Sequence, residues 1–252
     1  MSTPKPRRIP GALLGLLVLS MALLAWEGAY RLAPWPPERF PIPATMLHAA
    51  GVSIFRLVVG FAVSLALGLL VGVALWRVPR MSALLGPLFL GLQTLPSVCW
   101  VPLAVLLLGA SEQAIHFTVV MGSVFAIAVS LRDGLASIPP VYQRAGLMLG
   151  AQGWRLYRYV LLPASLPALA TSLRQGFAFA WRGLMGGEMM FLAVHAHGLG
   201  YWLAMQRKAD PSGGAGQILA IMSAMVLIGM LADRWVFAPL QHRVQRRFGL
   251  GG

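Results

Sequence analysis

Apolar residues fall in six long runs, and the breaks between them gather arginines, prolines and glycines. About twenty apolar residues cross the hydrocarbon core of a bilayer as a helix. The runs lie at about 9–30, 52–75, 81–110, 113–131, 163–192 and 214–238. The second is uncharged from Leu57 to Leu75, and the third is uncharged but interrupted by Pro87, Pro96 and Pro102. The fifth is the weakest, because Arg174, Arg182 and Glu188 lie within it. The sixth carries Asp233 and Arg234 near its end. Backbone groups in lipid must be bonded internally, so these runs predict helices; a membrane barrel would show short alternating strands instead. The expected fold is all-α and polytopic, with about six transmembrane helices.

The first run follows Lys5, Arg7 and Arg8 and resembles a secretory signal. No small-x-small cleavage site comes after it, and the run leads into "WEGAYRLAPWPPERF". It is therefore expected to stay as the first span. The whole chain then reads as a tail at 1–8, one membrane domain at 9–240 and a basic tail at 241–252. Outer loops are expected at 31–50, rich in proline, and at 195–216, rich in glycine.

Composition agrees with this reading. The chain is 58% hydrophobic and 11% charged, with a mean hydropathy of +0.74. Soluble domains carry about a quarter charged residues. A net charge of +13 would suit nucleic acid, but the basic residues are scattered between apolar runs, so no nucleic-acid partner is expected. Cys99 is the only cysteine, which excludes an intrachain disulfide and a cysteine-based metal site. It is expected as a small apolar-like residue inside a helix.

Charge also sets an orientation. Six spans place both termini on one side, with Lys5, Arg7, Arg8, Arg77, Arg80, Arg132, Arg144, Arg155, Arg158, Arg243, Arg246 and Arg247. The other side holds Arg31, Arg39, Arg207 and Lys208. The positive-inside rule makes the first side cytoplasmic in a multi-pass inner (plasma) membrane protein. The longest cytoplasmic loop is then about 132–162.

That loop contains "RAGLMLGAQGWRLYRYVLLPASLP" (144–167). After Pro139-Pro140, "PVYQRAGLML" predicts a short helix, and Gly150 suits a left-handed C-terminal cap. "AQGWRLYRYVLL" predicts a second, with Arg155 and Arg158 on one face and Trp154, Tyr157 and Leu161 on a neighbouring one. Pro163 can open the fifth span, and Leu162 before it is expected to make a corner. On these residues alone the loop is either an amphipathic anchor or a docking site for a cytoplasmic partner.

The same residues resemble the cytoplasmic EAA loop of ABC-importer permeases, E-A-A-x3-G-x9-I-x-L-P. Arg144, Ala145, Gly146, Gly150, Val160, Leu162 and Pro163 stand at its positions. Arg144 replaces the glutamate, Gly146 the second alanine and Val160 the isoleucine. "LQTLPSVCWVPLAVLLLG" (92–109), "LPASLPALATSLRQGFAFAWRGLMGGEM" (162–189), "LGYWLAMQRKAD" (199–210) and "DRWVFAPLQHRVQRRFGL" (233–250) resemble the nitrate/sulfonate/taurine branch of that family. The resemblance implies a type I importer permease fold and a dimer of permeases, a homodimer being expected. It implies a cytoplasmic ABC ATPase docked at the loop, and a periplasmic or lipid-anchored substrate-binding protein. Membrane lipids complete the expected surroundings. The chain has no GxxxxGK[ST], so ATP is expected on the partner and no cofactor on this chain. Arg144 reverses the motif's charge: either the partner offers an acidic residue there, or the position is a solvated rim site.

Charged and polar residues inside the spans supply the pathway candidates. Arg182 lies deep in the fifth run, where an arginine costs about 2.5–3.5 kcal/mol unless it faces protein or water. Two readings fit: it bonds to carbonyls or a carboxylate on another helix, or it attracts an anion with its planar fork. Glu188, six residues on, is no obvious same-helix partner and suits a dimer or gate contact. Gly183, Gly186 and Gly187 allow close helix approach around it. Gln93, Thr94 and Ser97, beside Pro96, suit either a broken helix facing the pathway or a kinked packing helix. His195 and His197 are too few for a metal site, and no metal ligands are assigned.

The function expected is that of a transmembrane permease subunit of an ATP-driven importer, moving a small anion such as nitrate, a sulfonate or taurine into the cytoplasm. The alternatives are an ion-driven secondary transporter, which would usually show internal repeats, and a membrane-embedded enzyme, which needs a catalytic constellation. Neither signal is present, and no catalytic residue is assigned.

Overall fold

A computed structural model of the chain describes residues 20, 43–191, 197–209 and 215–247. The described residues are helical with no strand. The expected first span and N-terminal tail lie outside them, apart from Ser20, as do the last residues of the C-terminal tail.

Helix α1 (Pro43–Arg77) starts nine residues before the apolar run that predicted it and absorbs part of the expected outer loop. At 1.5 Å per residue it is about 52 Å long, more than the roughly 30 Å core requires. Helix α2 (Pro79–Thr94) opens on a proline, keeps Pro87 inside, and ends where Leu95 turns extended before Pro96. A 3-10 turn (Ser97–Trp100) and helix α3 (Val101–Leu108) follow, bent 105° from α2. Of the three prolines in the third run, only Pro96 breaks the helix. Pro102 sits in the first turn of α3, where a missing amide hydrogen leaves nothing unbonded. Cys99 is exposed in the 3-10 turn rather than tucked into a regular helix.

Helix α4 (Glu112–Ala136) is capped by Ser111, whose hydroxyl accepts from the Ala114 amide at 3.3 Å. It has the most deeply buried apolar set of the described spans. Helix α5 (Pro140–Met148) follows, then α6 (Trp154–Leu156), a π turn (Tyr157–Leu161) and α7 (Leu162–Met190). Helix α8 (Leu199–Ala209) lies in the expected glycine-rich outer loop. Helix α9 (Ala215–Ala232) passes through a second π turn (Asp233–Phe237) into α10 (Ala238–Arg247).

Among the described residues, three helical stretches are long and apolar enough to cross a membrane: Thr45–Arg77, Glu112–Ala136 and Ile218–Val244. The α2–α3 pair is apolar enough when taken together across its 105° bend, as a broken span or a re-entrant loop. Helix α7 has the length, with 29 residues, and lacks the apolarity for the reason the sequence indicates, its charges. The chain is thus a multi-pass membrane protein.

The core is α4 between α1 and α7. Close approach explains it. At Gly183 of α7 a Cβ would come within 2.8 Å of the Thr118 carbonyl of α4. The Thr118 hydroxyl donates to its own Ile115 carbonyl at 2.7 Å and reaches the Gly183 carbonyl at 3.3 Å. Between α1 and α4, Ser64 and Ser123 pair through their hydroxyls at 2.6 Å. Small residues and bonded hydroxyls are what hold helices together where lipid is as apolar as leucine. Leu57, Ile115, Val119, Ala180 and Leu184 fill the space between them.

Candidate functional site

The loop between α4 and α7 is built around two glycines. Ser137 closes α4, with its hydroxyl donating to the Gly134 carbonyl at 2.8 Å, and Pro140 opens α5. Helix α5 ends with Gly150 at φ 79°, the left-handed cap expected there. The Gly150 amide donates to Leu147 O at 3.0 Å and the Ala151 amide to Gly146 O at 2.9 Å. These two bonds make a Schellman motif, which turns the chain back on itself. Gly146 is buried, and a Cβ there would lie 2.6 Å from Leu156 Cδ1 and 2.9 Å from Val160 Cγ2. Helix α5 therefore lies directly on α6 and the π turn. The loop's departure from the motif at 146 coincides with a tight seam: a methyl there would require Leu156 and Val160 to shift.

Of the other motif residues, Arg144 and Ala145 are exposed and Val160 is partly buried. Leu162 and Pro163 sit in the first turn of α7. The corner expected at Leu162 does not form. Leu161 is helical at φ −73° and ψ −42°, and the chain stays helical without interruption from Trp154 to Met190. The π turn ahead of Pro163 is the physical reason. Its i→i+5 bonding widens the helix where the proline ring would otherwise crowd the preceding turn and its missing amide would leave a carbonyl unmet.

Sequence spacing did not single out Met148 and Leu149. Both are 87% exposed, the highest values among large apolar side chains of the described residues. With Trp154 and Tyr159, also exposed, they give the loop an apolar surface beside Arg144, Arg155 and Arg158. Such a surface outside the spans marks a contact site.

The pathway candidates separate into three places. Gln93 and Thr94 end α2, and Ser97 begins the 3-10 turn, so all three sit at the 105° bend. The Thr94 hydroxyl bonds back to Gly91 O at 2.7 Å, while the buried Oε1 of Gln93 has no partner among the described residues. Arg182 is exposed on α7, with its guanidinium 5.4 Å from the centroid of the Phe179 ring. It borders a groove of about 500 Å³ shared with Trp181, Gly229 and the Arg174–Asp233 pair. Arg174 donates to both Asp233 oxygens, at 2.5 and 2.8 Å, and to Gln241 at 3.1 Å. No carboxylate pairs with Arg182 among the described residues.

Glu188 is elsewhere and wholly buried, at 0% exposure. It accepts from Ser53 Oγ at 2.9 Å, from Arg56 Nη1 at 3.0 Å and from the Gly200 amide at 3.0 Å. Arg56 reaches on to Glu112, through Nε at 2.9 Å and through Nη2. Arg182 and Glu188 are not brought together, as their spacing on one helix implied. Gly183 and Gly187 make the close contacts expected around Glu188, whereas Gly186 meets only ordinary van der Waals distances. His195 lies outside the described residues; His197 packs against Tyr201 with ring centroids 5.6 Å apart.

This arrangement of membrane-crossing helices, a bent α2–α3 pair and an amphipathic loop between α4 and α7 fits a membrane permease. Residues 64–243 match the family described as binding-protein-dependent transport system inner membrane component, and the chain belongs to that family, in its nitrate/sulfonate/taurine-like branch of ABC permeases. It is 30% identical over 183 residues to a putative ABC transporter permease of Methanocaldococcus jannaschii, covering 73% of this chain and 67% of that one. It is 26% identical to a bicarbonate transport system permease of Synechococcus elongatus (77% and 68% covered). A nitrate import permease of Synechocystis is 24% identical over 247 residues, covering 93% of this chain and 88% of the relative. The chain is a transport subunit and not an enzyme; an ATPase on a separate subunit and a substrate-binding protein are its partners.

Proposed function

We propose that two copies of this chain form the pathway of an ATP-driven importer that moves a small anion, of the nitrate, sulfonate or taurine class, from a periplasmic binding protein into the cytoplasm. Both termini and the loop at 132–162 face the cytoplasm, and lipids surround the single membrane domain. ATP is held by the partner ATPase, and this chain binds no cofactor. The observation that carries the reading is the apolar surface of α5, with Met148 and Leu149 standing clear of the chain on a loop held by Gly146 and Gly150. An ATPase groove would cover it, and closure of two ATPases on ATP would then tilt the permeases. An anionic substrate is supported by Arg182, which offers two parallel donors at the edge of a groove with no carboxylate to occupy them among the described residues. Gln93, Thr94 and Ser97 line the pathway at the bend, where loosely bonded backbone requires water or protein rather than lipid.

The test is co-purification from native membranes with a tag on this chain. An ATPase subunit that accompanies the native chain and is lost from Gly150→Glu supports the coupling loop. No ATPase with either form, from membranes active in transport, sinks the importer reading.

A further inference from the structure

Glu188 does more than end the pathway helix. Its carboxylate is held from two other helices at once, by Ser53 and Arg56 of α1 and by the Gly200 amide of α8, and Arg56 extends the contact to Glu112 of α4. Ser53 closes the ring, since its Oγ also accepts from the Leu199 amide at 3.0 Å. Two orphan amides at the start of α8 thus end on one buried anion and its hydroxyl neighbour. A carboxylate is the side chain that a helix N-terminus favours. Gly198 passes so close that a Cβ would overlap the carboxylate, so the fit is tight. At the other end, the same helical rod begins in the loop at Trp154 and stays helical to Met190, with the π turn at Tyr157–Leu161 and Pro167 inside it.

We infer that Glu188 is a positioning residue that joins α8 to α7, so that a tilt imposed on the loop end of the rod is delivered to the helix at its far end as one rigid movement. Three donors meet on the one buried carboxylate, the Ser53 hydroxyl, Arg56 and the Gly200 amide, and with the Leu199 amide on Ser53 they tie the N-terminus of α8 to α7 and α1. Packing supports the joint: Leu199 is fully buried with Met46, Ala49, Ile221 and Met225, and Tyr201 packs with Leu184. Arg56 keeps the buried anion neutralised while Glu112, half exposed, lets the guanidinium stay bonded on its other edge. A buried carboxylate that loses its partner is strongly destabilised, so the pair acts as a fixed pin rather than an exchanging contact. The inference rests on the coupled-transport reading above.

The experiment uses the complex purified with its ATPase and reconstituted in lipid. Cys99→Ser removes the one native cysteine, and spin labels are placed at the exposed positions Met190 on α7 and Met205 on α8. Distances are read by double electron–electron resonance without nucleotide and after trapping with ATP and vanadate. With the labelled chain diluted into an excess of unlabelled chain, so that a complex carries labels on one copy only, the native pair should give the same single distance in both states. With Glu188→Gln the distance should hold without nucleotide and shift or split on trapping, and Glu188→Asp should restore a single value. A native pair that changes between states overturns the joint, whether or not any variant folds. So does a Gln variant that stays single in both states, or one broadened equally in both, which is the mark of a merely structural role. A purified complex with no ATPase sinks the coupling reading and the joint with it; a complex that hydrolyses ATP while α7 and α8 separate sinks the joint alone.

Discussion

Gly146 has no side chain, and the packing of the loop between α4 and α7 rests on that absence. Any β-carbon would press into Leu156 and Val160. Gly146→Val should therefore lower the melting temperature of the purified permease by an amount corresponding to about 1–3 kcal/mol, the usual cost of overpacking, and reduce the ATPase recovered with it. Arg182→Gln removes a charge that no carboxylate among the described residues needs, so thermal stability should hold while anion uptake into proteoliposomes loses affinity or selectivity. Unchanged uptake would show Arg182 to be outside the pathway. Single residues were unevenly legible. Glu188 stood out as an acid in an apolar run, but Ser53, Arg56 and Glu112 lie 135, 132 and 76 positions away, and no local period links them. A signal existed. Arg56 borders an uncharged stretch and needs an anion, and the chain has only seven acidic residues to offer.

At the scale of elements, turn chemistry was readable and register was not. The cap at Gly150 is a local device, set by glycine and its immediate neighbours, so the sequence predicts it directly. Whether Pro163 makes a corner depends on how the preceding turn accommodates it, and the π turn that does so has no sequence signature of its own. The start of α1 and the presence of α8 were missed because neither belongs to a long apolar run: the first turns of α1 hold Pro43, Thr45 and His48, and α8 is only 11 residues with Gln206, Arg207 and Lys208. Met148 and Leu149 allow a test at this scale. Changing both to serine alters no buried contact, so the permease should melt as before, yet the ATPase should no longer co-purify. Retention of the ATPase would move the docking surface away from α5.

For the whole molecule, the pattern of apolar runs was a good guide to class and a partial guide to count. Three candidate spans and one bent pair are present among the described residues, with α7 buried beside them by packing rather than by hydropathy. Hydropathy measures transfer into lipid, and a helix that meets mostly protein escapes it. The proposed orientation leads to a simple expectation. In a Cys99→Ser background, a cysteine at Arg155 should react with a membrane-impermeant maleimide in inside-out vesicles and not in intact spheroplasts. Reaction from the outside would invert the topology. Uptake by the reconstituted system should also stop when ATP is withdrawn and persist when ion gradients are collapsed; the reverse would mark a secondary transporter.

The π turn at Tyr157–Leu161 acts as an angular setting. A turn bonded i→i+5 holds about one residue more than an α turn, and one residue is about 100° of rotation around a helix. Losing a single residue from this turn would restore a regular helix and swing everything before it, including Met148 and Leu149, by about a quarter of a circle. The length of the chain here is therefore under tight constraint: an insertion or deletion would aim the loop in a new direction.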